Sequence, residues 1–307
     1  MTKFGVAQSV ARVEDQRLIT GTGQYTDDVQ LDGQAHGVLL RAPVAHARIA
    51  SIDTAAALEV PGVLAVYTID DLKADGIGDL PCMIPLKNRD GSDRAETPHP
   101  ALADGVVRYV GDPVAFVVAE SLAAARDGAE AIMVDYDDLP AVADLEAAAA
   151  DGAAQVWPDA AGNRAFDWEQ GDKAAVDKLF AGAAHTGRIR VVNNRVVVAS
   201  MEPRAAIAAY DAAEDRFTLW LPTQGTMLLK NLLANAVFKI PAEKIRIRTL
   251  DVGGGFGMKI FLYNEQVLCA YAARKLGRPV RWVSDRTEAF LSDTQGRDNI
   301  STAEIAL

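Results

Sequence analysis

Cysteine is scarce in this chain: Cys82 and Cys269 are the only two among 307 residues. Two thiols cannot build a disulfide framework or a thiolate cluster site by themselves. Basic charge is also short. Lys and Arg number 31 against 42 Asp and Glu, a formal net charge of −11. That balance argues against nucleic acid and against an anionic membrane surface as the main partner. No apolar run reaches the roughly 18 residues of a membrane-spanning helix, so no integral membrane segment is expected. The opening Met1-Thr2-Lys3-Phe4-Gly5 lacks the apolar core of a secretion signal, and acidic Glu14 and Asp15 follow soon after. The four histidines, His36, His46, His99 and His185, are scattered without metal-ligand spacing. These absences point to a soluble, cytoplasmic protein. What is present supports buried cores: hydrophobic residues make up 50% of the chain and charged ones 24%, which excludes disordered and collagen-like classes. The length suggests two domains.

The chain divides by pattern. Residues 17–32 are rich in turn formers, and ordered elements begin after them. Residues 36–41 and 62–68 read as strands with a short helix, 54–58, between them. A helical turn starts at 69–72. From 75 to 104, recurrent Gly, Pro, Asn and Asp predict a long surface excursion. Runs at 106–110 and 114–119 flank the turn Gly111-Asp112-Pro113. Ser121 is a good N-cap for a helix reaching about Met133, and 134–136 is a last short strand. Strands alternating with short helices predict a first mixed α/β unit over 12–142. Four alanines at 147–150, with Asp151-Gly152, Pro158 and Gly162-Asn163, read as a connector over 143–162.

The second unit, 163–307, opens with a β-type run at 186–199 broken by Asn193-Asn194. Residues 205–210 and 217–221 flank a hairpin turn. Leu228, Leu229, Leu232, Leu233, Ala236, Val237 and Ile240 recur at helical spacing until Pro241 stops them. Residues 245–250 alternate as a half-buried strand should. A helix over 264–276 ends at Gly277, with Pro279 just beyond. Residues 280–283 and 299–307 read as strands. The chain stops inside the last pattern, so an incomplete domain is expected, with an open sheet edge after Ile300. The predicted fold class is α+β, or mixed α/β, throughout.

The strongest chemical signal is Gly253-Gly254-Gly255-Phe256-Gly257 between a strand and a helix. Four glycines in five positions leave backbone N–H groups free to surround an anion or a cofactor oxygen. The alternative is a tight strand-to-helix turn packed on its own domain. The motif is not a P-loop, because Met258 precedes Lys259 and Ile260 follows it. Nor is it a dinucleotide fingerprint, whose third glycine falls on Met258. Phe256 would be presented by the backbone rather than lost in a solvated turn. Thr223-Gln224 sits between a strand end and a helix, where Gln224 is either a two-way hydrogen-bonding amide or a simple cap. Glu202-Pro203-Arg204 ends a β run and reads most simply as a surface ion pair. His46 falls on a loop rim near Arg41 and Arg48, and Cys269 on the apolar side of a helix, in the core.

Together, Asp251-Val-Gly-Gly-Gly-Phe-Gly-Met-Lys259, Thr223-Gln224 and Met201-Glu-Pro-Arg204 resemble the molybdopterin-binding large subunit of the xanthine dehydrogenase, aldehyde oxidase and carbon monoxide dehydrogenase family. Earlier motifs agree with the α/β hammerhead domain of those subunits. They are Arg12-Val-Glu-Asp15, Gly21-Thr-Gly-Gln-Tyr-Thr-Asp-Asp28, Arg41-Ala-Pro-Val-Ala-His-Ala-Arg-Ile49 and Tyr109-Val-Gly-Asp-Pro-Val114. The resemblance implies a hammerhead domain over 12–142, a linker over 143–162 and an incomplete cofactor-binding domain over 163–307.

It further implies a molybdenum–molybdopterin cytosine dinucleotide held by Gln224, Gly254, Gly255, Phe256 and Gly257, with no direct side-chain ligand to the metal. Phe256 would also wall the substrate pocket. Family chemistry is hydroxylation of an aldehyde or N-heterocycle, or oxidation of CO, with water as the oxygen source and a glutamate as proton acceptor. That glutamate belongs to a later part of such subunits, so no catalytic residue is expected here, and the chain alone should be inactive. Electrons would pass to [2Fe-2S] and FAD centres on small and medium partner subunits, in a dimer of heterotrimers. Ile260 stands where purine-oxidising members carry glutamate, which disfavours a purine. The reactive-cysteine loop of CO enzymes is absent. The alternative function is a non-catalytic binding or assembly module that shares the domain pair.

Overall fold

The computed structural model describes residues 11–307; the opening pentapeptide lies outside that range. Twelve strands are described: β1 (Ala35–Arg41), β2 (Ala47–Asp53), β3 (Val63–Tyr67), β4 (Val106–Val107), β5 (Pro113–Ala119), β6 (Met133–Asp138), β7 (Thr186–Asn193), β8 (Ala205–Asp211), β9 (Arg216–Trp220), β10 (Ile245–Arg248), β11 (Val280–Val283) and β12 (Asn299–Ala306). They form a seven-stranded sheet of order β10-β9-β8-β11-β1-β5-β3, a three-stranded sheet β4-β2-β6 and a two-stranded ribbon β12-β7. The large sheet mixes directions: β1 runs parallel to β11 and antiparallel to β5. This is not the all-parallel order of a dinucleotide-binding fold.

The large sheet joins strands from both sides of residues 143–162. Ala35 pairs with Val280, so β1 from the first unit and β11 from the second are neighbours. The sequence of β5, Pro-Val-Ala-Phe-Val-Val-Ala, is a continuous apolar run, and all seven residues are buried. It lies between β1 and β3, and its Phe116 ring fills the space above Gly37. A Cβ on Gly37 would come within 2.3 Å of that ring. Only glycine fits there.

The Asn264–Leu276 helix covers the sheet, with Asn264–Ala273 buried without a break. Val267, Leu268 and Tyr271 join Phe116, Leu219 and Trp282 in one apolar cluster. Gly277 takes the left-handed conformation that ends the helix, as its sequence position predicts. Ser121 caps the Leu122–Glu130 helix by accepting from the Ala124 N–H. Cys269 is buried, with its thiol against the Ala206 carbonyl.

Several elements differ from the pattern reading. The single helix expected up to Pro241 is α-helical over Thr226–Leu232 and then widens to a π-helix over Leu233–Phe238. The strand expected at 106–110 shrinks to two residues. β2 occupies the stretch read as a loop around Arg48; only its Ala47 is buried, so no alternation marks it. The helices Lys173–Gly182 and Arg286–Ser292 were not legible, and the first buries no residue at all. β12 pairs with β7 through Ala306 in a two-stranded ribbon, and among the described residues no strand pairs with its other edge after Ile300.

Candidate functional site

The glycine-rich loop leaves β10 and enters the sheet-covering helix through a short turn, Met258–Ile260. Its entry is tied to the first unit. The Asp251 carboxylate accepts from the Gln24 N–H at 2.8 Å and pairs with Arg17. The Arg17 hydrogen bond holds that carboxyl below its usual range. Gly254, Phe256 and Gly257 all have positive φ, which costs a non-glycine residue such as Phe256 energy.

Both ends of the loop are clamped. At the first end, Glu202 and Gly253 satisfy each other: the Gly253 N–H donates to Glu202 Oε2 at 2.8 Å, and the Glu202 N–H donates to the Gly253 carbonyl at 3.0 Å. A Cβ on Gly253 would approach Glu202 Cβ to 2.5 Å. At the far end, the Gly257 N–H donates to Gln224 Oε1 at 2.9 Å. A Cβ on Gly255 would lie 2.6 Å from the same amide. Between these ends, the N–H groups of Gly254, Gly255 and Phe256 meet no acceptor among the described residues. Phe256 is 78% exposed, so the loop faces outward.

Lys259 lies behind the loop, almost fully buried. Its Nζ donates to the carbonyl and to Oε2 of Glu202, both at 2.8 Å. Burial pulls the lysine below its ordinary value, against the pull of Glu202 in the other direction. The Lys259 carbonyl accepts from the Gln224 N–H at 3.0 Å and from Thr223 Oγ1 at 2.9 Å.

The surface Glu202–Arg204 pair read from the sequence does not form. Glu202 turns to Lys259, and Arg204 is buried. Arg204 pairs with Glu265 at 2.6 Å and Asp293 at 2.7 Å, with its guanidinium over the Tyr263 ring. Glu265 also pairs with Arg41 of β1 at 2.6 Å. Burial alone would raise the Glu265 carboxyl; Arg204 and Arg41 outweigh it and hold it at about 2. This hub locks the loop-bearing helix to β1. Sequence reasoning missed both groups, because partners 57 and 61 positions apart leave no local spacing.

The sequence-predicted site residues therefore come together: Gln224 contacts the loop at Gly255 and Gly257, and Phe256 projects beside them. The described cavities lie elsewhere, and two of them border titratable groups of the first unit and the hub. One of about 610 Å³ is lined by His99, Tyr263 and Asp293, the other of about 490 Å³ by Asp112, Arg108 and Trp157. Burial raises Asp112 to about 6, but its carboxylate is already engaged by the Arg108 N–H. The loop chemistry suits an anionic, oxygen-bearing group. It offers three free backbone donors, an oriented amide, and a nearby carboxylate already matched by Lys259.

Residues 20–140 match the model of the aldehyde oxidase and xanthine dehydrogenase α/β hammerhead domain. Residues 156–307 match that of the molybdopterin cofactor-binding domain. The chain is 36% identical to the nicotine 6-hydroxylase large subunit of Paenarthrobacter nicotinovorans, over all of this chain and 36% of that one. It is 35% identical to the carbon monoxide dehydrogenase large chain of Hydrogenophaga pseudoflava, over 98% of this chain and 38% of that one. Among solved structures, quinoline 2-oxidoreductase from Pseudomonas putida 86 superposes with a TM-score of 0.84 at 38% identity, covering 97% of this chain and 37% of that one. Reconstituted CO dehydrogenase from Oligotropha carboxidovorans gives 0.89 at 33% identity, with 98% and 38% covered. The chain thus spans little more than a third of the relatives it matches. No described helix is long and apolar enough to cross a membrane. By both domain matches and by these relatives, the chain belongs to the molybdopterin-binding large-subunit family of xanthine dehydrogenase, aldehyde oxidase and carbon monoxide dehydrogenase.

Proposed function

We propose that Gln224 and Gly254–Gly257 form one wall of a molybdenum–molybdopterin cytosine dinucleotide site in a hydroxylase large subunit. In this reading 12–142 acts as the hammerhead unit, 143–162 as a linker and 163–307 as the cofactor-binding unit. The observation that carries it is the Gly257 N–H donating to Gln224 Oε1. An amide whose oxygen is engaged keeps its NH₂ as a donor, and this one meets no acceptor among the described residues. Gln224 is therefore a donor, beside the free N–H groups of Gly254, Gly255 and Phe256. Four donors on a preformed surface would stabilise negative charge on an oxygen-bearing group without reorganising.

When bound, the group supplies two-electron oxidation of an electron-poor carbon or of CO, with water as the oxygen source. The chain's own residues bind and orient it. The loop's N–H groups and Gln224 would hold oxygen atoms of the group, and Phe256 would form an apolar wall for a small-molecule substrate. Ile260 disfavours a purine, leaving aldehydes, N-heterocycles and CO. The partners in this reading are small and medium subunits carrying [2Fe-2S] and FAD centres, which would take up the electrons, in a cytoplasmic dimer of heterotrimers. None of the residues placed in this wall is a proton acceptor; the chain purified by itself should therefore show neither molybdenum by mass spectrometry nor dye reduction.

The test of the wall is Gln224→Ala in the complete subunit with its partners. Losing one preorganised donor should lower kcat by about 10²–10³-fold, with the thermal midpoint nearly unchanged. Wild-type turnover in that variant would remove Gln224 from the site.

A further inference from the structure

The glycine loop is held at its two ends by residues distant from it in sequence, Glu202 and Gln224, and one residue reaches both. Glu202 fixes Gly253 through a reciprocal pair of hydrogen bonds, and Gln224 fixes Gly257. The Lys259 ammonium donates twice to Glu202, and the Lys259 carbonyl accepts from Gln224 N and Thr223 Oγ1. Ser200 Oγ adds a second donor to the Glu202 carbonyl at 2.7 Å. A closed ring results, running Gly253, Glu202, Lys259, Gln224, Gly257. The three free N–H groups fall between its two anchor points.

We propose that Lys259 is the positioning residue that sets the spacing between the free loop donors and the Gln224 amide. The inference rests on the reading of the loop as a cofactor wall, and it concerns how that wall keeps its shape. Lys259 touches no ligand; it acts through Glu202 and through the Thr223–Gln224 backbone. Its side chain is 1% exposed and that of Glu202 12%, so water cannot replace the contact cheaply. A lysine used only to neutralise a buried carboxylate would need one bond to Glu202. Here a second goes to the Glu202 main-chain carbonyl, which fixes the backbone leading into β8 as well as the charge.

The chemistry implies a pH signature. Burial lowers Lys259, opposed by Glu202 and Asp293 and assisted by nearby Arg204. Above its lowered value the ammonium loses its proton, and with it the firm grip on Glu202. Stability runs the other way. A lysine depressed in the folded state binds fewer protons there than when unfolded, so between the lowered value and the ordinary 10.5 rising pH favours the fold. Loss of loop order without loss of stability is what a purely structural lysine would not produce.

The experiment uses the complete subunit with its partners and compares Lys259→Met, Lys259→Arg and the double variant Lys259→Met with Glu202→Gln. The double variant removes both charges together, so a buried unpaired carboxylate cannot obscure the result. Hydrogen exchange is measured over the 251–259 segment, together with molybdenum content and the Mo(V) electron paramagnetic resonance signal. Exchange at 251–259 should quicken at least 10-fold in the double variant, with the midpoint of unfolding held, and Lys259→Arg should recover part of the protection. The Mo(V) signal should shift or broaden. Unchanged exchange would overturn the positioning role. Quickened exchange with a wild-type signal and metal content would support the clamp and overturn the cofactor-wall reading beneath it.

Discussion

β5 and β7 are strands of similar length with opposite fates. Every residue of β5 is buried between two neighbours in the seven-stranded sheet, and every residue of β7 is exposed in a two-stranded ribbon. Their ion pairs divide the same way. The large sheet and its helix hold Glu265 between Arg204 and Arg41 almost without solvent, whereas the ribbon pairs Arg188 with Glu304 across its strands in open water. The contrast shows where this molecule keeps its stability. Apolar area and charge both do most where water is excluded, and the same residue types in the ribbon contribute little.

Three measurements sharpen that contrast. The largest effect should come from Glu265→Gln, which leaves two buried guanidinium groups without their shared carboxylate. Breaking a buried pair this way costs about 3–5 kcal/mol, read as the loss in a urea unfolding curve. The wild type carries the corresponding acid sensitivity. Glu265 is held at about 2 in the fold against an ordinary 4.5, so its contribution is complete above 4.5 and is lost as pH falls toward 2. A flat stability profile through that window would contradict the pairing. Phe116→Ala in β5 comes next, at about 3–4 kcal/mol, because the ring has no room to be replaced by collapse around Gly37. Smallest is Ile189→Ala in β7, 60% exposed, which should shift stability by less than about 0.5 kcal/mol. A loss above 1.5 kcal/mol there would mean that the ribbon is covered by another surface in solution.

The same contrast marks what could be read in advance. β5 was legible because a continuous apolar run has one physical solution, burial on both faces. Ser121, Gly277 and Pro241 were legible because capping and stopping act within a few residues. The glycine loop and Gln224 were legible as types, since few sequences place four glycines between a strand and a helix. β2 was not, because a single buried residue and a register shift after Ile49 erase its alternation. The Lys173–Gly182 helix buries nothing, so no face of it is marked. The partners of Glu202 and Arg204 were misread because spacing along the chain favoured a neighbour two positions away. The fold instead offered Lys259, Glu265 and Asp293 in dry surroundings.

The parallel pairing of Ala35 with Val280 also has a consequence in time. β1 is made early, but its neighbour in the sheet is synthesised 245 residues later. At about 5–20 residues per second that is a wait of roughly 12–50 s, during which one edge of β1 shows unpaired backbone groups. β5 can close the other edge long before, through an antiparallel contact that needs no such delay. The molecule should therefore form in two stages separated by translation itself. Ribosome-arrested chains ending near 250 should remain open to protease around β1, while chains long enough to release residue 283 from the exit tunnel should resist it. Equal protection at both lengths would mean that β1 is secured without β11.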